Sequence, residues 1–330
     1  MRLKILYHDG CFDGAASAAV FTRFYREKRG LTAKDSVDYL GLSHAGAAPL
    51  APELFDGDVN ALVDFRYATT DRLTWWFDHH VSSFPNPGEE AHFRADASGQ
   101  KFHDPRAKSC TRFIARTLHE RFDFDVEPLH ELVHWAEIID GALFPDPATA
   151  VHLGPPALKL MLVIEASPGP DFIPRLIGDL MHVPLAELIE LPYVQGRLGP
   201  IYERHLKIVE LVRGRAHIDK GVVFYDVADQ SLGNINKFIP YELFPEARYT
   251  MAVSRGPKRA KISVGSNPWF PERRTHDLAR ICERYGGGGH PVVGAVSYPA
   301  EEVERARADA GTILRELQDD WEAARRSECL

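Results

Sequence analysis

Three short apolar runs, each leading into an acid or a histidine, constrain this 330-residue chain more than any other feature. "LKILY" (residues 3–7) leads into "HDGCFDG", "VNALVDF" (59–65) carries Asp64, and "LTWWFDHH" (73–80) ends on Asp78, His79 and His80. Short runs of apolar and β-branched residues bounded by polar or turn residues read as buried strands. Behind the first run, residues 15–25 place Ala, Val and Phe at helical spacing with no breaker. Residues 8–14 are therefore a strand-to-helix loop. With "VDYL" (37–40) as a further strand, the first 140 residues alternate strand and helix, the rhythm of a mostly parallel sheet. Open α/β sheets keep their ligand sites at the carboxyl ends of strands, and that is where the acids and histidines recur.

Helical patterns follow at 108–122, 128–139 and 175–190, with a Pro- and Gly-rich stretch over 145–174. A long helical run over 196–216 reads as a connector. Beyond it, "GVVFYDV", "RYTMAVS" and "AKISVGS" read as strands, then come a helix over 276–285, "GGGGHPVVGAVSY" and a closing helix. The expected fold class is α/β: a domain over 1–190 with a mostly parallel sheet and flanking helices, a helical connector over 191–217, and a smaller α/β domain over 218–330. A hydrophobic content of 45% suffices for a sizeable core in each.

No run of eighteen apolar residues and no signal-peptide pattern is visible, so no membrane association is expected and the cytoplasm is the expected location. Cys11, Cys110, Cys282 and Cys329 lie far apart with no CxxC pair, which argues against a disulfide framework and a structural zinc site. The net charge of -8, from 47 acids against 39 bases, disfavours long nucleic acid as a partner.

Taken singly, the strand-end residues have ordinary explanations. An Asp after a strand forms turns, a His pair is usually surface or satisfied interior, Asp140 before Gly141 can be helix-end chemistry, and a free Cys packs as a small hydrophobe. Their recurrence at successive strand ends carries the weight. His8, Asp9 and Asp13 follow the first strand, Asp64 the second, and Asp78, His79 and His80 the third, while Asp140 ends a helix. Mixed carboxylate and imidazole donors suit manganese and similar ions, and a carboxylate between two ions can bridge them, so the set reads as a two-metal site.

The carboxyl-terminal half has its own signal. One glycine after a helix serves as a C-cap, but four in a row exceed that need. Consecutive glycines let backbone N–H groups approach an anion, so Gly287, Gly288 and Gly289 are candidate phosphate contacts with His290 beside them. A basic cluster at a hairpin turn, "SRGPKRAK", makes Arg255 the best single candidate for a further substrate contact. Trp269 is a candidate to stack on a base.

Together the aspartate-rich first loop, Asp64, the "DHH" triplet, Asp140 and "GGGGH" resemble the DHH phosphoesterase family with its carboxyl-terminal DHHA1 substrate-binding domain. The resemblance spans nearly the whole chain. It implies a bilobal hydrolase with two metal ions, usually Mn2+ with Mg2+ or Co2+ as substitutes, acting on phosphoester bonds through a hydroxide activated between the ions. Members cleave short oligonucleotides, cyclic dinucleotide products, adenosine bisphosphate or polyphosphate. Carried over by position, Asp64 resembles the bridging carboxylate, Asp13, Asp140 and His79 the ligands of one ion, and His8 a ligand of the other. Asp78 resembles the acid that orients the histidines, and His80 the group that meets the phosphate.

One departure stands out. The family commonly has Asp-x-Asp in the first motif, whereas Cys11 stands two residues before Asp13. Asp9 takes the missing role, Cys11 ligates as a thiolate, or the first ion is held more weakly; the hardness of the ion favours Asp9. The expected function is manganese-dependent hydrolysis of short oligonucleotides, with a phosphatase on adenosine bisphosphate or polyphosphate as the alternative and a non-catalytic nucleotide sensor as the rival of another class. The expected partner is a short oligonucleotide or small phosphorylated nucleotide; a homodimer is compatible with the sequence.

Overall fold

The computed structural model describes residues 1–32, 34–43, 48–232, 235–319 and 321. Its elements run β1 (Arg2–His8), α1 (Phe12–Lys28), β2 (Ser36–Leu42), β3 (Val59–Val63), β4 (Trp75–Asp78), α2 (Glu89–Arg94), β5 (Lys101–His103), α3 (Cys110–Phe122) and α4 (His130–Asp140). Then follow α5 (Pro147–His152), α6 (Pro156–Ala166), α7 (Ile173–Leu180), α8 (Leu185–Leu188) and α9 (Pro192–Arg215). The remainder comprises β6 (His217–Asp219), β7 (Val222–Ser231), α10 (Ile239–Leu243), β8 (Tyr249–Arg255), β9 (Arg259–Ser266), α11 (Leu278–Glu283), β10 (Gly288–His290), β11 (Val293–Pro299) and α12 (Val303–Asp319).

The chain divides into two compact units, Met1–Phe144 with Gly154–Ile201, and Pro145–Leu153 with Tyr202–Leu330. The boundary falls inside α9, just after its internal Pro200. The segment 145–153, which contains α5, belongs to the second unit although its neighbours on both sides belong to the first.

The first unit is built on an all-parallel sheet of order β2-β1-β3-β4-β5. Sheets of this kind are covered on both faces, and β4 shows why this sequence complies. Its four residues "WWFD" are all buried. Trp75 meets Phe21, Phe24 and Phe122 on the side of α1 and α3, while Trp76 meets Tyr67, Phe84 and Phe93 on the other. Each tryptophan is 1% exposed or less, so truncating either to alanine would cost about 3–5 kcal/mol. This packing fixes the strand end that carries Asp78. Helix α1 is buried nearly all round, with Ala15, Ala16, Ala18 and Ala19 at 0% exposure, and is enclosed by α3, α4, α6 and α7. A helix apolar on every side belongs in a core, and here it holds Asp13 rigidly at its first turn.

The second unit has a mixed sheet of order β10-β11-β9-β8-β7-β6, parallel only between β7 and β8. Helices α11 and α12 cover one face: Leu278, Ile281, Ala306, Ala310, Ile313 and Leu317 pack on Met251, Val253, Ile262 and Val296. Ala306, Ala310, Ile313 and Leu317 repeat at three- and four-residue spacing, the stripe of an amphipathic helix.

Two readings of the sequence differ from the structure. The Pro-rich stretch 145–174 contains α5 and α6, because Pro147 and Pro156 occupy the first helical positions, where the missing N–H costs nothing. The single helix expected over 175–190 is two, α7 and α8, interrupted before Pro184. Cys11, Cys110 and Cys282 are free thiols, and Cys329 lies outside the described residues. No described helix is long and apolar enough to cross a membrane.

Candidate metal centre

The first unit brings donors from three adjacent strand ends together. His8 closes β1, Asp64 follows β3, Asp78 closes β4 with His79 and His80 after it, Cys11 and Asp13 open α1, and Asp140 closes α4. Three donor groups result, each with ligand atoms within 4.8 Å of one another: His8, Cys11 and Asp64; Asp64, His79 and His80; Asp13, His79 and Asp140. Asp64 belongs to two of them. It sits in the left-handed region at φ 54, which Asp tolerates better than most residues, and its amide continues the ladder to the Phe77 carbonyl at 3.0 Å.

His79 is the hub. Its Nδ1 lies 3.1 Å from the Ala107 carbonyl, a donation that leaves Nε2 facing the carboxylates. Nε2 is 3.3 Å from Asp140, 3.5 Å from Asp64 and 3.8 Å from Asp13. Burial alone would lower its pKa, but the Asp64 interaction and the charges of Asp13 and Asp140 push the imidazole up to about 10. Asp13 and Asp140 are both raised, by burial first and then by the charge of Asp64. Asp64 itself is lowered, because its contacts with His79 and His8 outweigh its burial. A metal ion fits this arrangement on the evidence of two orphans: Asp64 Oδ1 and His79 Nε2 are buried, and neither has a hydrogen-bond partner. Unpaired buried polar atoms are costly, and a cation between them removes that cost.

Asp13 owes its position to a signal the sequence does not display. Its two carboxylate oxygens accept from the Cys110 and Thr111 amides at 2.6 and 3.0 Å, so the amino terminus of α3 clamps it. Thr111 also donates its hydroxyl to the Asp13 carbonyl at 3.1 Å.

Asp78 belongs to none of the three groups. Its Oδ1 accepts from the His79 amide at 2.9 Å and lies 2.7 Å from His80 Nδ1, and its Oδ2 accepts from Ser83. These contacts join Asp78 to the His79 backbone and to the His80 ring. His80 is held at its ring by Asp78 and at its carbonyl by His103 Nε2 at 2.8 Å, with the Ser83 hydroxyl oxygen 2.5 Å from the same carbonyl. Burial opposes a charged His80, but the bond to Asp78 outweighs it and raises the pKa. Ser83, fully buried, is a residue that sequence reasoning missed. Ser83→Ala is expected to cost about 1–3 kcal/mol of stability, because Asp78 loses a buried donor, and about tenfold in turnover with unchanged metal content. Thermal unfolding, elemental analysis and steady-state kinetics check this; unchanged turnover would remove Ser83 from the positioning network.

Asp9, the residue favoured by the sequence reading, also lies outside the three groups. Its carboxylate accepts from the Gly10 amide at 2.9 Å and packs where a side chain on Gly41 would stand, 2.7–2.8 Å away. Its amide donates to the Leu42 carbonyl at 2.8 Å. Asp9 therefore turns towards β2, and Cys11 faces His8 and Asp64. Burial and the charges of Asp64, Asp140 and Asp13 push the Cys11 thiol up.

In the second unit the glycine run is explained in part by the fold. Gly286 has φ +77 after α11, and its amide donates to the Glu283 carbonyl at 3.0 Å. A Cβ on Gly287 would lie 2.2 Å from the Ala295 carbonyl oxygen, and one on Gly289, at φ +152, 2.2 Å from that of Val293. Gly288 alone has neither a positive φ nor a neighbour within 4 Å of its absent Cβ. His290 ends the edge strand β10, exposed. Arg255 ends β8 at the opposite end of the same sheet. His290 aligns through Val293 and Gly265 with Thr250, five residues from Arg255, so the two stand about 20 Å apart at strand spacings. They cannot share one phosphate. Trp269 packs edge-on against Phe238 and Tyr241 within this unit.

Comparison with family models and with curated proteins gives no match. Solved structures do match. PggH from Vibrio cholerae, a pGpG-specific phosphodiesterase, is 18% identical with TM-score 0.67, over 96% of this chain and 99% of that one. The DHH domain of a member of a family of ribosomal proteins is 15% identical with TM-score 0.59, over 96% and 87%. RecJ from Thermus thermophilus in complex with Mn2+ is 14% identical with TM-score 0.51, over 96% of this chain and 52% of RecJ, so the chain spans about half the length of that protein. A likeness maintained over nearly the whole chain at such low identities is a likeness of architecture, and this chain is built on the DHH-domain fold.

Proposed function

We propose that this protein is a member of the DHH phosphoesterases that hydrolyses phosphodiester bonds in short oligonucleotides with two divalent ions, Mn2+ as the activating ion and Mg2+ or Co2+ as substitutes. The observation that carries the reading is the shared carboxylate: Asp64 belongs to two donor groups, with a buried oxygen that lacks a hydrogen bond 3.5 Å from a buried His79 nitrogen that lacks one too. Asp13, His79 and Asp140 hold one ion, and His8 with Asp64 contributes to the other. When bound, such ions lower the pKa of water and neutralise charge on phosphoryl oxygens.

The chain's own residues do the rest. Asp78 keeps His80 oriented and favours its charged form, so that the imidazolium can donate to a phosphoryl oxygen. The α3 amino terminus holds Asp13 in place, and the Ala107 carbonyl fixes the His79 tautomer. Gly288 and His290 bind a terminal phosphate or nucleotide, an assignment supported by the absence of any packing demand at Gly288. The acidic net charge supports a short substrate, since affinity for long nucleic acid comes from neutralising many phosphates.

A panel of pGpG, di- to pentanucleotides, adenosine bisphosphate, polyphosphate and RNA up to about twenty-four nucleotides, assayed with Mn2+, tests the reading. The expected result is Mn2+-dependent cleavage of the two- to five-nucleotide substrates, with kcat/KM falling beyond that length. Cleavage confined to adenosine bisphosphate or polyphosphate would replace the substrate class. Binding of nucleotides without hydrolysis of any would make the protein a sensor. In the same assay Gly288→Ala and His290→Ala are expected to raise KM about tenfold while metal content stays at the wild-type value. Loss of metal in either variant would overturn the separation of roles.

A further inference from the structure

The donor groups that include Asp64 and His79 are chemically unequal. One offers imidazole, thiol and carboxylate (His8, Cys11, Asp64); another offers imidazole and two carboxylates (His79, Asp13, Asp140). We propose that the two positions select different ions: the Cys11 position takes a thiolate-binding divalent ion of the zinc or cobalt class, and the Asp13, His79 and Asp140 position takes Mn2+ or Mg2+. The inference rests on the two-ion reading above and deepens it.

Three observations carry it. Cys11 is half-buried, whereas Cys110 and Cys282 are buried packing residues; Cys110 is 3.4 Å from the Phe77 carbonyl and Cys282 stands 2.5 Å from where a Cβ on Gly294 would be. The Cys11 sulfur lies within 4.8 Å of donor atoms of both His8 and Asp64, and His8 Nδ1 is 3.3 Å from Asp64 Oδ2, so the three donors already converge. The carboxylate that could have competed, Asp9, is turned to the Gly10 amide and to β2.

Thiolate and imidazole donors favour zinc, cobalt and ferrous ions over manganese and magnesium, which prefer carboxylate and water. On binding, a sulfur–metal bond forms and the thiol proton passes to solvent, with no change of oxidation state. The anionic charge delivered equals that of an aspartate at the same place, so the site keeps its charge balance while changing its selectivity.

The test uses the full-length protein stripped of metal and titrated with Co2+, with metal content measured in parallel. The expected wild-type result is a thiolate-to-cobalt charge-transfer band in the near ultraviolet that saturates at one ion per chain. The band is expected to vanish in Cys11→Ser and Cys11→Asp, which retain the other cysteines. In competitive dialysis against Zn2+ and Mn2+, the excess of Mn2+ needed to displace Zn2+ from one position is expected to be about tenfold or more higher in the wild type than in Cys11→Asp, with the other position unchanged. Binding of two Co2+ without the band, or a band that persists in Cys11→Ser, would overturn the proposal and leave the two-ion reading standing. Binding of no ion at all by folded wild-type protein would overturn both.

Discussion

Asp64→Asn is expected to lower turnover by about three orders of magnitude or more, roughly 4 kcal/mol of transition-state stabilisation, while the protein remains folded. Asp64 is the one residue that joins the Cys11 group to the His79 and His80 group, and His8, His79 and His80 all lie within 4.0 Å of its carboxylate. An amide in its place offers a neutral oxygen and a nitrogen that repels cations. Asparagine is the right substitution because the residue sits at φ 54, where a short polar side chain is tolerated and alanine would add backbone strain to the loss of a ligand. A second readout separates chemistry from folding. With metal at a hundred times its Kd, each occupied wild-type site adds about 2.7 kcal/mol to stability, and Asp64→Asn should lose that increment. Elemental analysis should find less than the wild-type metal content. Retention of more than a few per cent of the activity, or of full metal content, would show that Asp64 does not serve both ions.

What the sequence reveals of this site, and what it hides, follows from the physics of each residue. His8, Asp64, His79 and Asp140 are legible because a buried strand or helix end stands out against polar residues, and open sheets gather ligands at such ends. The direction of each side chain is not legible. Asp9 and Cys11 are two residues apart in one loop, and spacing cannot tell which faces the acids. The outcome depends on Gly10 at φ +65 and on Gly41, in a different strand, whose missing side chain leaves room for Asp9. Asp13 is visible as a candidate, but its clamp at the start of α3 lies almost a hundred residues away. Ser83 carries no local signature, since a serine after a histidine pair reads as a turn residue. The glycine run shows the opposite limit: at Gly286, Gly287 and Gly289 a positive φ or a close backbone neighbour requires glycine, and only the packing around each isolates Gly288, paired with Ala295 in the sheet, as the one whose place does not.

Gly14→Ala, a change of one methyl group, is the substitution with the next largest expected effect. A Cβ at Gly14 would stand 2.1 Å from the His8 carbonyl oxygen and 3.0 Å from the His8 carbonyl carbon and Cβ. Neither side can retreat easily. His8 is the last residue of β1, in register with Leu42 of β2, and β1 also pairs with β3; α1 is enclosed by α3, α4, α6 and α7. Overpacking against flexible side chains costs about 1–3 kcal/mol, and a clash with backbone belongs at or beyond the upper end of that range. The strain is applied between His8 on one side and Asp13 on the other, so relief means moving one donor away from the other. A misplacement of about 1 Å in a catalytic arrangement costs on the order of a hundredfold, so activity should fall by at least that factor, together with a lower unfolding temperature and weaker metal binding. Gly178→Ala in α7 is the control. No atom lies within 4 Å of its absent Cβ, and the residue is helical, so this substitution should stabilise the protein by about 0.5–1 kcal/mol and leave activity unchanged. Wild-type stability and turnover in Gly14→Ala would mean that the close approach of α1 to the end of β1 does not hold the metal centre together.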